Sequence, residues 1–302
     1  MKRIRYALQG SAALLFISFN TIVLALVMGV MAIFKGITPP GTIANAINRW
    51  LSVLGELWVS GNNCVLRHYR SMQWDIQRPE NLDRQGRYLV LCNHQSWVDI
   101  LAMQFVLNRR APFLRFMLKQ SLIWVPFLGL AWWSLDFPFL RRHSRQQLLK
   151  NPQLRFKDLE NAARACEKLK LIPVAMMCFP EGTRFSREKH SRQDSPYRHL
   201  LKPRFGGIGQ VLYSFEDALQ SAIDMTITYP GGAPTFWQLV SGQVPKIKVQ
   251  AVLRPIDPGL LGVDFRGNPE AKRQLKDWLE SIWMEKDQAI EASAGNGATH
   301  QL

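Results

Sequence analysis

Hydrophobic and polar positions change rhythm twice along the chain. Residues 11–34 form a nearly unbroken apolar run without a single charge, interrupted only by Ser18, Asn20 and Thr21. That length suffices for a bilayer core, which takes roughly 20 apolar residues. Residues 42–66 place Ile43, Ile47, Trp50, Leu51, Leu54, Leu57 and Trp58 at helical spacing, broken by Arg49 and Glu56, so this helix is as suited to lying in a membrane interface as to crossing it. Pro39-Pro40-Gly41 between the two runs is a turn signal. Together they predict a membrane-embedded helical hairpin over residues 1–70. A cleaved signal peptide is the plainer alternative, but the run is longer than an ordinary signal core and no small-x-small site follows it.

From Arg87 onward the rhythm becomes short apolar runs alternating with helical ones. Residues 88–92 read as a buried strand, 98–107 as a helix, and 171–178 as a second strand entered from a helix that opens at Asn151-Pro152 and runs through Lys170, with Phe156, Leu159, Ala163 and Cys166 on one face. Residues 225–229 and 247–253 are two further strands. Asn268-Pro269 starts a last helix striped by Leu275, Trp278, Leu279, Ile282 and Trp283. Alternation of this kind predicts an α/β domain over 71–291, with a largely parallel sheet flanked by helices and a disordered polar tail at 292–302. A third apolar stretch, 123–140, carries Pro126, Gly129, Asp136 and Pro138; these breakers argue for core or a membrane-facing wall rather than another span.

Charge narrows the partners. The 302 residues carry a formal net charge of +15, which favours polyanions: lipid headgroups, phosphorylated cofactors or nucleic acid. No recognition-helix, zinc-finger or RNA-binding signature is present, so nucleic acid is set aside. Cys64, Cys92, Cys166 and Cys178 have neither close pairing nor metal-like spacing, which fits a reduced compartment without a zinc site.

Two motifs carry the chemistry. Asn93-His94-Gln95-Ser96-Trp97-Val98-Asp99 follows the first strand, and Phe179-Pro180-Glu181-Gly182-Thr183-Arg184 follows the second. In open α/β sheets ligands gather at the carboxyl ends of strands. A histidine held by a carboxylate five residues on can take a proton from an alcohol, and an arginine can grip a phosphate with two N–H donors. Ordinary readings exist for both. Ser96 and Asp99 suit a helix N-terminus, and Pro-Glu-Gly-Thr suits a strand-ending turn. Cys92 and Cys178 read as buried strand residues rather than acyl-accepting nucleophiles.

In conjunction, the Asn-His-x4-Asp box and Phe-Pro-Glu-Gly-Thr-Arg resemble the 1-acylglycerol-3-phosphate acyltransferases, over residues 74–283. Residues 124–131 and 283–287 look most like the bacterial YihG-type branch of that family. The resemblance implies the glycerolipid acyltransferase fold, with His94 as general base, Asp99 as its orienting partner, and Glu181, Gly182, Thr183 and Arg184 shaping the acceptor site. Arg142 falls where the family's second motif has a phosphate-binding arginine, beside Arg141 where many members have an acid. The fourth motif departs, reading Met225-Thr226-Ile227-Thr228-Tyr229-Pro230 with its proline displaced. Implied partners are membrane lipids, a lysophosphatidic acid acceptor, and acyl-CoA or acyl-carrier protein as donor, with no metal or redox cofactor. The implied location is the bacterial inner membrane, catalytic domain facing the cytoplasm where such donors reside. A different lysophospholipid acceptor is the neighbouring reading. A non-catalytic basic protein that holds anionic lipid is the reading from another class.

Overall fold

The computed structural model describes residues 1–39, 41–69, 71–140, 160–164, 166–265 and 267–298. Helix α1 (Lys2–Ile37) turns back into α2 (Thr42–His68), the predicted hairpin. Two of the three residues that interrupt the apolar run of α1 fasten it: Asn20 Nδ2 donates to Trp58 O at 2.9 Å and to Asn62 Oδ1 at 3.0 Å, and Trp58 Nε1 donates to Thr21 Oγ1 at 3.0 Å. The buried face of α1 is mostly small, from Gly10 and Ala13 to Ala25, Gly29 and Ala32. Leu8, Phe19, Val30, Ile33 and Phe34 are left exposed on its outer face. Among the described residues α1 alone is long and apolar enough to cross a membrane; α2 is not.

The sheet order is β1 (Gln73–Gln77), β8 (Lys246–Arg254), β7 (Ser221–Thr228), β2 (Arg87–Cys92), β6 (Val174–Cys178) and β3 (Leu114–Phe116). β7, β2, β6 and β3 run parallel, β8 runs antiparallel to β7, and β1 follows β8 in parallel. The period-two pattern of β2 sends Tyr88, Val90 and Cys92 to one face and Leu89 and Leu91 to the other. The first face is covered by α3 (Val98–Leu107), the end of α2 and the short α7 (Phe236–Val240). The second is covered by α6 (Gly206–Phe215), which follows the short α5 (Arg187–Gln193), and by α8 (Pro269–Ala298), where Leu275, Leu279, Ile282 and Trp283 form the predicted stripe.

Helix α8 continues through Ala298, so residues 292–298, expected to be disordered, extend a helix. The 123–140 stretch is no continuous span. It contains α4 (Leu128–Ser134) and ends in β5 (Phe139–Leu140), which pairs with β4 (Leu118–Lys119) just before the stretch. Its helix packs on α1, where Ala25, Met28, Ala131 and Leu135 share a core, leaving Trp124, Phe127 and Trp133 exposed. The predicted start of a helix at 151, with Phe156 and Leu159, lies outside the described residues; residues 160–164 are helical.

Candidate active site

The parallel strands β2, β6 and β7 end together, and the chain immediately beyond each builds the site. Asn93, fully buried, imitates one more residue of strand: its Nδ2 donates to Ile227 O at 2.9 Å and its Oδ1 accepts from Ile227 N at 2.8 Å. This locks the turn that presents His94. The ring of His94 stacks on Phe179 at 3.9 Å between centroids and 12° between planes, which joins the two motifs face to face.

Asp99 stands behind that ring with no exposed surface. Its Oδ2 lies 2.9 Å from His94 Nδ1 and accepts from the backbone N–H of Gln95 at 2.6 Å and of Ser96 at 2.8 Å. Its Oδ1 accepts from the Tyr229 hydroxyl at 2.6 Å. A carboxylate that already accepts three hydrogen bonds presents only lone pairs to His94. Nδ1 therefore carries the proton and Nε2, which bonds no described residue, carries the free lone pair. Capping by Asp99 and orientation of His94 are compatible in this geometry, because one oxygen meets both the backbone amides at the helix start and the imidazole. Burial, and then the charge of Asp99, push the Tyr229 phenol well above its ordinary range, so it stays a donor.

Glu181 is placed differently from its expected role. It has no exposed surface; Oε1 accepts from His94 N at 2.7 Å and Oε2 from Leu201 N at 3.0 Å. It braces the backbone beneath the histidine and does not line the cleft onto which His94 opens. Burial outweighs the two amide hydrogen bonds and raises its carboxyl to about 7. Gly182, at φ +67°, turns the chain away, and a Cβ there would meet Arg204 Cδ at 3.3 Å. Its N–H is spent on Phe179 O at 2.9 Å, so it is not a free oxyanion donor. Thr183 Oγ1 accepts from Lys189 Nζ at 2.8 Å, and the Arg184 guanidinium lies 5.3 Å over the Trp97 ring.

These residues open onto a cleft of about 650 Å³. His94, Lys119, Arg184 and Arg204 supply its polar wall; Ile100, Phe116, Leu122 and Met177 supply much of its apolar wall. Arg142, with Arg141, lies outside the described residues. The chain reaches that point from Leu140, which pairs in register with Lys119 on the cleft wall. Lys119 and Arg204 escaped the motif-based reading because Lys119 ends the short strand β4 and Arg204 lies in a loop, both outside the two motifs. Tyr229 was visible only as the residue before the displaced proline. Cys92 is fully buried and its thiol is pushed well up by burial, while Cys178 is half-buried and lines the cleft.

A sequence model of the Acyltransferase family matches residues 73–226, just over half of the chain. The chain belongs to the acyltransferase family. Among curated relatives of this family member, the 2-acyl-1-lysophosphatidylinositol acyltransferase of Saccharomyces cerevisiae is 25% identical over 247 residues, covering 70% of this chain and 62% of that protein. The 1-acyl-sn-glycerol-3-phosphate acyltransferase delta of Rattus norvegicus is 22% identical over 244 residues, covering 76% and 57%. The chain thus spans about six tenths of the length of the curated relatives it matches. The crystal structure of the 1-acyl-sn-glycerophosphate acyltransferase PlsC from Thermotoga maritima superposes with a TM-score of 0.50 at 17% identity, covering 93% of this chain and 98% of that one. At that identity the likeness is one of fold, and it includes the helices that flank the sheet and precede it.

Proposed function

We propose that this acyltransferase-family protein moves a fatty acyl group from acyl-CoA or acyl-carrier protein to the free hydroxyl of 1-acylglycerol-3-phosphate, giving phosphatidic acid. One observation carries the reading. His94 Nδ1 is tied to the buried Asp99 at 2.9 Å while its ring lines a cleft that holds Arg184 and Arg204. In the step derived from that geometry, Nε2 takes the proton of the acceptor hydroxyl as its oxygen attacks the thioester carbonyl. The imidazolium so formed is stabilised by Asp99, the thiolate leaves, and the proton passes to it or to water. Guanidinium groups suit both the acceptor phosphate and the developing oxyanion, since each offers paired N–H donors. With the Gly182 amide engaged, the oxyanion role falls to Arg184 or Arg204.

The membrane arrangement in this proposal is argued from the packing of α1. Its contacts run from Gly10 against Trp237, through Gly29 against Leu130, to the ion pair of Lys35 with Asp136. At about 1.5 Å per residue this is nearly 40 Å of helix held on the α/β domain. A helix so bound cannot cross the bilayer without dragging a polar domain into lipid. The hairpin therefore lies in one leaflet, with Trp124 and Trp133 at the interface and the cleft facing the cytoplasmic pool of thioester donors on a bacterial inner membrane. Cysteine labelling of the α1 outer face from either side of oriented vesicles tests this; labelling of its two ends from opposite sides refutes it.

The name of the yeast relative supports a second acceptor, another lysophospholipid, with unchanged chemistry. Membranes carrying the protein, incubated with labelled acyl-CoA and a panel of lysolipids, decide between them. Lysophosphatidic acid is expected to be labelled first. Inertness toward the whole panel removes both acceptors, and full activity in His94→Ala removes the mechanism.

A further inference from the structure

A second cavity, about 800 Å³, lies at the other end of the sheet. His94 follows the end of β2, whereas Arg87 begins it, so about 17 Å of strand separates this cavity from the catalytic cleft. One wall is a stripe of α2 at helical spacing, Asn45, Asn48, Arg49, Ser52, Val53 and Glu56; the facing wall comes from the loops that enter β2, β3 and β6.

Its charge is unbalanced. Three arginines, Arg49, Arg84 and Arg87, line it with a single acid, Glu56, and both carboxylate oxygens of Glu56 are taken by Arg84 Nη2 at 2.9 and 3.0 Å. Arg87 sits at the strand start, its backbone N–H held by Gln220 Oε1 at 3.0 Å. Its Nε is buried and has no partner among the described residues. A charged donor kept from water without an acceptor is costly, and an incoming oxyanion would relieve that cost. The rim is apolar: Val53, Phe113, Leu171 and Ile172 border the arginines, and Leu171 is 82% exposed. Just outside, Trp50 on α2 is 62% exposed, on the hairpin whose α1 outer face exposes Leu8, Phe19, Val30, Ile33 and Phe34.

We infer that this cavity binds the phosphate-bearing headgroup of an anionic phospholipid taken from the leaflet in which the hairpin lies. Arg49 and Arg87 face two phosphate oxygens, and the acyl chains run along Val53 and Leu171 toward the bilayer. A soluble phosphate compound would satisfy the arginines but leave the apolar rim uncovered. Such a lipid would tie the sheet's far end to α2 and so hold the catalytic domain at a fixed attitude to the surface.

Native mass spectrometry of the full chain released from neutral detergent tests this, with dioctanoyl phosphatidylglycerol, dioctanoyl phosphatidylcholine and inorganic phosphate as separate probes. Phosphatidylglycerol is expected to remain bound and phosphatidylcholine to be lost. Arg49→Gln combined with Arg87→Gln should weaken retention at least tenfold. Asn48→Glu, which places a negative charge in the cavity without touching the sheet, should do the same in a chain whose folding is unaltered. Wild-type retention in both variants overturns the proposal, and inorganic phosphate bound as tightly as the lipid overturns the lipid assignment. Acyl transfer is not measured, so failure here leaves the His94 reading standing, and inactive enzyme leaves this one standing.

Discussion

The Tyr229 hydroxyl donates to Asp99 Oδ1 at 2.6 Å, and this places a residue from the end of the neighbouring strand β7 behind the His94 ring. Asp99 is buried, so bulk solvent does not reach it to replace that donor. Tyr229→Phe is expected to reduce kcat on the order of tenfold and to cost about 1.5–3 kcal/mol of stability, the range for a hydrogen bond to a charged group. Steady-state kinetics beside a urea melt will read both; an unchanged kcat with the full stability loss would assign Tyr229 to folding alone.

Asp99→Asn retains a carbonyl oxygen for the amides of Gln95 and Ser96 but removes the charge opposite the imidazolium. Stability should move little and kcat should fall by about 10²–10⁴-fold, the usual worth of positioned general-base catalysis. Comparing the melting temperature with kcat on one preparation checks the split.

Glu181 gives a pH signature. In the unfolded chain its carboxyl loses the proton near the ordinary 4.5, whereas in the fold burial holds it to about 7. Between those values the folded state binds the extra proton, so this group's contribution to stability is fullest below 4.5 and is lost as pH rises toward 7, by about 3 kcal/mol in total. The stability of wild type minus that of Glu181→Gln, measured by denaturant melts across this window, should decline with rising pH. A flat difference would mean that the two amide bonds hold the carboxylate ionised throughout.

Gly182→Ala forces a side chain into φ +67° and against Arg204. The left-handed conformation costs about 1–2 kcal/mol, and displacement of Arg204 should raise KM for the phosphorylated acceptor more than KM for the thioester. Kinetics with each substrate varied in turn will show it.

Lys286→Met tests the base of β7. Its Nζ, wholly buried, donates to Asp224 Oδ1 at 2.5 Å, Met225 O at 2.6 Å and Thr226 Oγ1 at 3.1 Å. Asp224 Oδ2 still accepts from Arg254 Nε at 3.0 Å, so the loss should cost about 1–3 kcal/mol, the penalty for buried acceptors left short of a donor, visible as a lower denaturation midpoint.

The sequence by itself determined the hairpin, the alternation of strands and helices, and both motifs, because each depends on neighbours within a few residues: helical spacing in α2, the apolar run of β2, a carboxylate one helical turn past a histidine. It missed β1, β3 and α6, whose identity rests on what packs over them. It assigned Glu181 to the acceptor because a charged residue in a polar turn carries no local sign of burial. Only tertiary structure turned that side chain inward to the His94 amide, brought Tyr229 to Asp99 across 130 positions, and set Arg204 beside Gly182. Those contacts are fixed by the parallel pairing of β2 with β6 and β7, which aligns three strand ends. Pairing between distant segments is chosen by the whole core at once, so no short window of sequence contains it.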